Sequence, residues 1–162
     1  SPGAIAAGVQ ALRNGCPIVT DVHMIRVGIS GQRLAQFGGT LHCFVGDPQV
    51  QALATEEGTT RSTQSMRLAA GRGLLTEGIV VVGNAPTALE EVVRLVKACI
   101  HPALIIGVPV GFVGTAESKA AVMELSEVPW IVTEGFKGGS TIAVAIVNAL
   151  LRLAADESNA EL

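Results

Sequence analysis

Short apolar runs, most of them β-branched, alternate along this chain with stretches of helical periodicity, and a turn residue stands at nearly every junction. The runs are Pro17 to Thr20, Thr40 to Val45, Ile79 to Val82, Leu104 to Ile106 and Trp130 to Thr133. Ile79-Val80-Val81-Val82 has no polar alternate, which suits a strand buried on both faces. Between the runs the sequence predicts helices over Ala4 to Asn14, from Pro48 to about Glu57, Arg61 to Ala70, Ala88 to Ala98, Ala116 to Leu125 and Thr141 to Leu153, with a helical turn starting at Asp21. Gly15 ends the first as a C-terminal cap, and Asp47-Pro48 opens the second as cap and first-turn proline. Strands alternating with helices pair in parallel through right-handed crossovers. The expected fold is therefore α/β, three-layer α/β/α with a mainly parallel sheet.

Composition narrows the function classes. A length of 162 residues suits one domain with a real core, expected over residues 1 to 155, with 156 to 162 as a frayed tail. The hydrophobic share of 49% comes from aliphatic residues, with no Tyr and one Trp, so an aromatic stacking platform is not expected. The net charge is −3 and the basic residues are scattered from Arg13 to Arg152, which argues against a nucleic-acid partner. The apolar stretches Gly78 to Gly83 and Ala103 to Gly114 are too short or too broken to cross a bilayer. Cys16, Cys43 and Cys99 show no metal-type spacing and read as reduced cytoplasmic thiols. The first residues, Ser1 and Pro2, carry neither an initiator Met nor a signal-peptide core, which reads as a truncated start.

In a doubly wound sheet, ligands bind outside the carboxyl ends of the strands, where the connecting loops meet. Four segments there open helices: Thr59-Thr60-Arg61-Ser62, Gly83-Asn84-Ala85-Pro86-Thr87, Pro109 to Gly114, and Lys137-Gly138-Gly139-Ser140. Small residues let backbone N–H groups approach a ligand, and helix N-termini favour negative charge, so the set reads as an anion-binding rim. Arg61 is its first candidate anchor, able to clamp a carboxylate while Thr60 and Ser62 add hydroxyls; the competing reading is a capping Thr60 beside a solvated Arg61. Asn84 and Thr87 can donate to a ligand, or belong to an ordinary helix cap. Gly111 and Gly114 flank Phe112, which can lie at the rim against a flat apolar ring or pack in the core. Gly138, Gly139 and Ser140 can receive a carboxylate or a phosphate behind Lys137. Glu117 and Lys119 read as structural residues of the following helix.

His23, His42 and His101 have no nucleophile or carboxylate at a recognisable spacing, and no metal-ligand cluster is visible, so each reads as structural or surface. Two further readings stand beside a catalytic one. They are a nonenzymatic binding fragment that uses the same rim and a nucleotide-binding α/β domain, the latter without a G-x-G-x-x-G or P-loop spacing.

Taken together, DVHM at Asp21 to Met24, TTRS at Thr59 to Ser62, VVGNAPTAL at Val81 to Leu89, GVPVGFVGTAESK at Gly107 to Lys119 and KGGS at Lys137 to Ser140 resemble the precorrin-8X methylmutases, in order and spacing over essentially the whole chain. The resemblance implies a flavodoxin-like α/β/α fold, a homodimer, and a cofactor-free isomerisation moving a methyl group from C11 to C12 of a corrin precursor to give hydrogenobyrinic acid. With cobalt-precorrin-8 as substrate the metal would arrive inside the macrocycle, so no protein metal site is implied. The resemblance places Thr60, Arg61 and Ser62 at the substrate, with contacts from the loops carrying Asn84, Thr87, Gly111, Phe112, Gly138, Gly139 and Ser140. It also implies that the family's proton-carrying histidine lies upstream of Ser1, since none of His23, His42 or His101 matches it; without such a segment the same rim reads as that of a nonenzymatic corrinoid-binding fragment. Phe136 stands where many relatives carry a basic residue.

Overall fold

The computed structural model describes residues 1–159. In chain order the elements are α1 (Ala4–Arg13), β1 (Pro17–Thr20), α2 (His23–Gly28), α3 (Gly31–Gln36), β2 (Thr40–His42), α4 (Pro48–Glu56), α5 (Arg61–Gly71), β3 (Ile79–Val82), α6 (Pro86–Lys97), β4 (Leu104–Gly107), α7 (Thr115–Met123), β5 (Trp130–Val132) and α8 (Ser140–Asn159). The strands form one five-stranded sheet in the order β2-β1-β3-β4-β5, every pair parallel. This is the flavodoxin-like order, and its direction reverses between β1 and β3, where such folds place ligands.

The sheet is buried because its strands alternate between two helical layers. Ile18, Ile79, Val81, Leu104 and Ile106 join a core with α1, α2, α3 and α8 through Leu12, Ile25, Leu34, Val147 and Leu151. Val19, Val80, Val82 and Ile105 join a second core with α4 to α7 through Val50, Met66, Leu89, Val92 and Val122. Each fully buried Val, Leu or Ile contributes about 1.5 to 3 kcal/mol of transfer free energy. Strands of three or four residues are thus held by the flanking layers more than by their short ladders. Glycines bracket β3 with no room for a side chain: a Cβ on Gly78 would lie 2.3 Å from the Leu74 carbonyl oxygen, and one on Gly83 2.8 Å from Ile25 and 3.0 Å from the Ser140 Cα.

Several boundaries differ from the sequence reading. Helical structure after β1 starts at His23 rather than Asp21, because Asp21 is fully buried and spends its carboxylate on another loop. The short helix α3 was not anticipated; Ser30 caps it by accepting from the Arg33 N–H. β2 ends at His42 instead of Val45, since the Asp47 N–H closes a turn on the Phe44 carbonyl and Phe44 turns into the core with the Arg72 guanidinium 4.7 Å from its ring centre. α8 continues past Leu153 to Asn159 through Ala-Ala-Asp-Glu-Ser, which holds no helix breaker; residues 160–162 of the expected tail lie outside the described residues.

Candidate functional site

The loops leaving β1, β3, β4 and β5 meet at the carboxyl edge of the sheet. At its centre Asp21, 0% exposed, follows directly on β1. Its Oδ1 accepts from the Gly83 N–H at 3.1 Å, and its Oδ2 from the Asn84 N–H at 2.9 Å and the Ala85 N–H at 2.8 Å. Burial pushes its carboxyl up from the ordinary value, against the opposing pull of these three amides. The amides leading into α6, which the sequence reading offered to an anionic ligand, are filled by the protein's own carboxylate.

On the side of the second core, α5 and α6 start next to each other. The Thr60 hydroxyl accepts from the Thr63 N–H at 3.1 Å, capping α5, and lies 2.9 Å from the Thr87 hydroxyl. The capping role and the pairing of two candidate ligand residues therefore coexist. Arg61 is exposed, and among the described residues nothing hydrogen-bonds or ion-pairs with its side chain; Ser62 is half-buried beside it and Asn84 is exposed. Two turns further along, Arg67 joins Glu57 at 2.6 Å and Glu91 at 2.9 Å, and Arg94 reaches Glu91 at 2.6 Å, bolting α4, α5 and α6 together. Burial raises the Glu91 pKa, but its bonds to Arg94 and Arg67 more than reverse this and leave it below the ordinary value.

On the other side the loops after β4 and β5 interlock. A Cβ on Gly138 would lie 2.2 Å from the Val108 carbonyl oxygen and 2.6 Å from that of Pro109, so only glycine passes there. The Gly139 N–H donates to the Val108 carbonyl at 2.8 Å with Gly139 at φ 126, a conformation that glycine tolerates. Gly111, at φ 143, donates to the Phe136 carbonyl at 3.4 Å. Phe112 is 85% exposed, which settles rim against core, and its ring centre lies 5.8 Å from that of Phe136, 50% exposed. With Val110 at 50% and Val113 at 90% they form an apolar ledge. Beneath this loop Lys119 is 0% exposed, its Nζ donating to the carbonyls of Gly135 at 2.8 Å and Lys137 at 2.6 Å. Gly83 abuts Ser140, so the ends of β3 and β4 connect the Thr60–Thr87 side to the Gly139-Ser140 side as one edge.

Sequence reasoning missed Asp21 as the holder of that edge; an acidic residue directly after a four-residue apolar strand was the available signal. The histidines are dispersed. His101 precedes β4 at the opposite, amino edge and is exposed. His42 lies 2.9 Å from the Thr40 hydroxyl, and burial, then the charges of Arg26 and Arg72, hold its imidazole below the ordinary value. His23 begins α2 at the carboxyl edge, exposed and next to Gly46. Among the described residues no three His, Cys, Asp or Glu side chains are grouped to hold a metal ion. Three clefts of about 480, 500 and 560 Å³ surround α1 and include no candidate rim residue.

Comparisons with known proteins agree with one another. Residues 1–153 match the family description precorrin-8X methylmutase. The cobalt-precorrin-8 methylmutase of Leptospira interrogans is 49% identical over 158 residues, covering 94% of this chain and 72% of its own length. The precorrin-8X methylmutase of Pseudomonas aeruginosa is 45% identical over 152 residues, covering 93% of this chain and 72% of its own length. A crystal structure of precorrin-8x methyl mutase from Thermus thermophilus superposes with a TM-score of 0.89 at 44% identity, over 97% of this chain and 76% of the other. By sequence along nearly its whole length and by a five-stranded fold shared with a solved member, this chain belongs to the precorrin-8X methylmutase family.

Proposed function

We propose that the chain acts in cobalamin biosynthesis as an isomerase of precorrin-8X or its cobalt-containing counterpart, moving a methyl group from C11 to C12, and that the macrocycle lies across the carboxyl edge. The observation that carries the reading is the composition of that edge: one uncommitted guanidinium at Arg61, paired hydroxyls at Thr60 and Thr87, and the apolar ledge of Phe112 and Phe136. A corrin precursor is a broad apolar ring fringed with carboxylates. It calls for a flat hydrophobic seat with dispersed anion partners rather than one deep charged pocket. Ser62, Asn84, Gly111, Gly138, Gly139 and Ser140 are assigned to the same contact surface.

A nucleotide is disfavoured by Asp21, which occupies the amides at the start of α6 where a phosphate would need them empty. The methyl shift needs a general acid that lends the macrocycle a proton and takes it back. None of His23, His42 and His101 is assigned that role. A homodimer working in the cytoplasm completes the reading; among the described residues no helix is long and apolar enough to cross a membrane.

Titrating the chain with hydrogenobyrinic acid and with its cobalt-containing equivalent, read by visible absorption, tests the binding part. A saturable spectral change is expected for at least one ligand, and its absence for both overturns the reading. Incubation with precorrin-8X tests the acid: slow or no conversion by these 162 residues alone is expected. Full turnover would put the proton carrier within them, with His23 the first to substitute.

A further inference from the structure

We propose that Lys119 is a positioning residue for the corrin site: its ammonium holds the turn from Gly135 to Lys137 so that Phe136, Lys137 and the Gly138-Gly139-Ser140 entry into α8 stand ready at the rim. The inference rests on the corrin-binding reading above.

Lys119 is among the largest fully buried side chains of the protein. Burying an ammonium costs several kcal/mol in desolvation, a cost that an apolar side chain of similar length would not carry. The reason for a lysine has to be found in what the ammonium touches. Among the described residues its hydrogen bonds go to backbone of the β5–α8 loop alone: the carbonyls of Gly135 and Lys137, at 2.8 and 2.6 Å. The Lys137 carbonyl also accepts from the Thr133 hydroxyl at 2.8 Å.

The pattern of acceptors explains the shape of the turn. The ammonium takes the carbonyls on either side of Phe136, while the Phe136 carbonyl accepts from the Gly111 N–H in the facing loop. Gly135, at φ 72, supplies the reversal that lets the strand end fold back over α7. With its backbone fixed on both sides, Phe136 is set beside Phe112, and three residues on the Gly139 N–H locks onto the Val108 carbonyl. Lys119 thus ties the motif at Gly107 to Lys119 to the motif at Lys137 to Ser140. Burial lowers the pKa of the amine from the ordinary lysine value, in keeping with a site closed to water.

No core strand hangs on these bonds, so their loss is expected to act on the rim first. The test compares Lys119→Met, which keeps the length without the charge, with Val96→Ala, a core truncation near the end of α6, and Thr133→Val, which removes only the hydroxyl bond to Lys137. Each variant is measured for hydrogenobyrinic acid affinity by visible titration and for amide exchange by mass spectrometry. Lys119→Met is expected to bind at least about tenfold more weakly and to exchange faster over residues 134 to 139, with β3 and α6 unchanged. Thr133→Val is expected to weaken binding about threefold, and Val96→Ala to leave affinity within about twofold.

Unchanged affinity in Lys119→Met, or faster exchange spread evenly over the whole core, overturns the proposal. If Lys119→Met does not fold, Thr133→Val decides in its place, and wild-type affinity in that variant overturns it. If the unsubstituted chain binds no corrin, the reading of the rim fails. Exchange alone then decides Lys119: faster exchange confined to 134 to 139 upholds the clamp, and uniform exchange removes it.

Discussion

The loop after β3 and the loop after β5 meet at the same edge of the sheet, yet they are held by buried charges of opposite sign. Asp21 collects three N–H groups of the first, while Lys119 collects two carbonyls of the second. A backbone loop offers donors and acceptors in equal number, and a charge inside the protein removes one kind from use. The β3 loop is therefore left with side chains, Asn84 and Thr87, to meet a ligand. The β5 loop spends its Gly139 N–H on the Val108 carbonyl and keeps the Gly138 N–H and the Phe136 ring. Two glycine-bearing loops that look alike in sequence thus differ in what they can bind.

The sharpest way to break this contrast is to remove the anion. Asp21→Ala leaves one buried and two part-buried amides without an acceptor and is expected to cost about 4 kcal/mol, read as a lowered urea midpoint with an unchanged slope. Next in size, Gly138→Ala forces a Cβ against two carbonyl oxygens of β4's exit and should cost about 2 kcal/mol in urea unfolding while weakening corrin binding. Stability and binding separate at Arg61. Arg61→Ala should leave the urea midpoint unchanged and lower corrin affinity about tenfold, and an unaltered titration would remove Arg61 from the site.

The smallest expected effect is a pH dependence. Because Glu91 has its pKa lowered in the folded state, its ionised form contributes stability above the unfolded value, and this is lost as pH falls from the ordinary carboxylate range through the depressed one. Glu91→Gln should therefore flatten the acid limb of a stability profile below the ordinary carboxylate range without touching corrin affinity. An acid limb as steep as in the parent protein would assign the loss to other carboxylates.

Much of the architecture was legible because it follows from local pattern. Ile79 to Val82, β-branched throughout between two glycines, suits a strand with both faces covered, and the alternation of such runs with helices gives a parallel sheet. The order of strands came only with the family resemblance, since no periodicity in β2 says on which side of β1 it lies. Asp21 reads in sequence as the start of a helical turn; its true partners lie more than sixty positions downstream, beyond the reach of local pattern. Phe112 was ambiguous in sequence because a lone aromatic between glycines suits core and surface alike; the 85% exposure comes from the turn geometry around it. The convergence of Thr60 with Thr87, and of Gly138 with Val108, is likewise a property of loops brought together by the sheet.

β3 has one more consequence. It is four residues long, and at about 3.3 Å per residue its ends stand only some 13 Å apart. Gly78 is wedged against Leu74 and Pro17 at one end, and Gly83 against Ile25 and the start of α8 at the other. A strut without slack transmits displacement along its length. A methyl group added at Gly78, at the sheet edge opposite the proposed corrin seat, is expected to push the rod toward Asn84 and Ser140. A change at that remote edge is then expected to alter corrin affinity while touching none of the proposed contact residues.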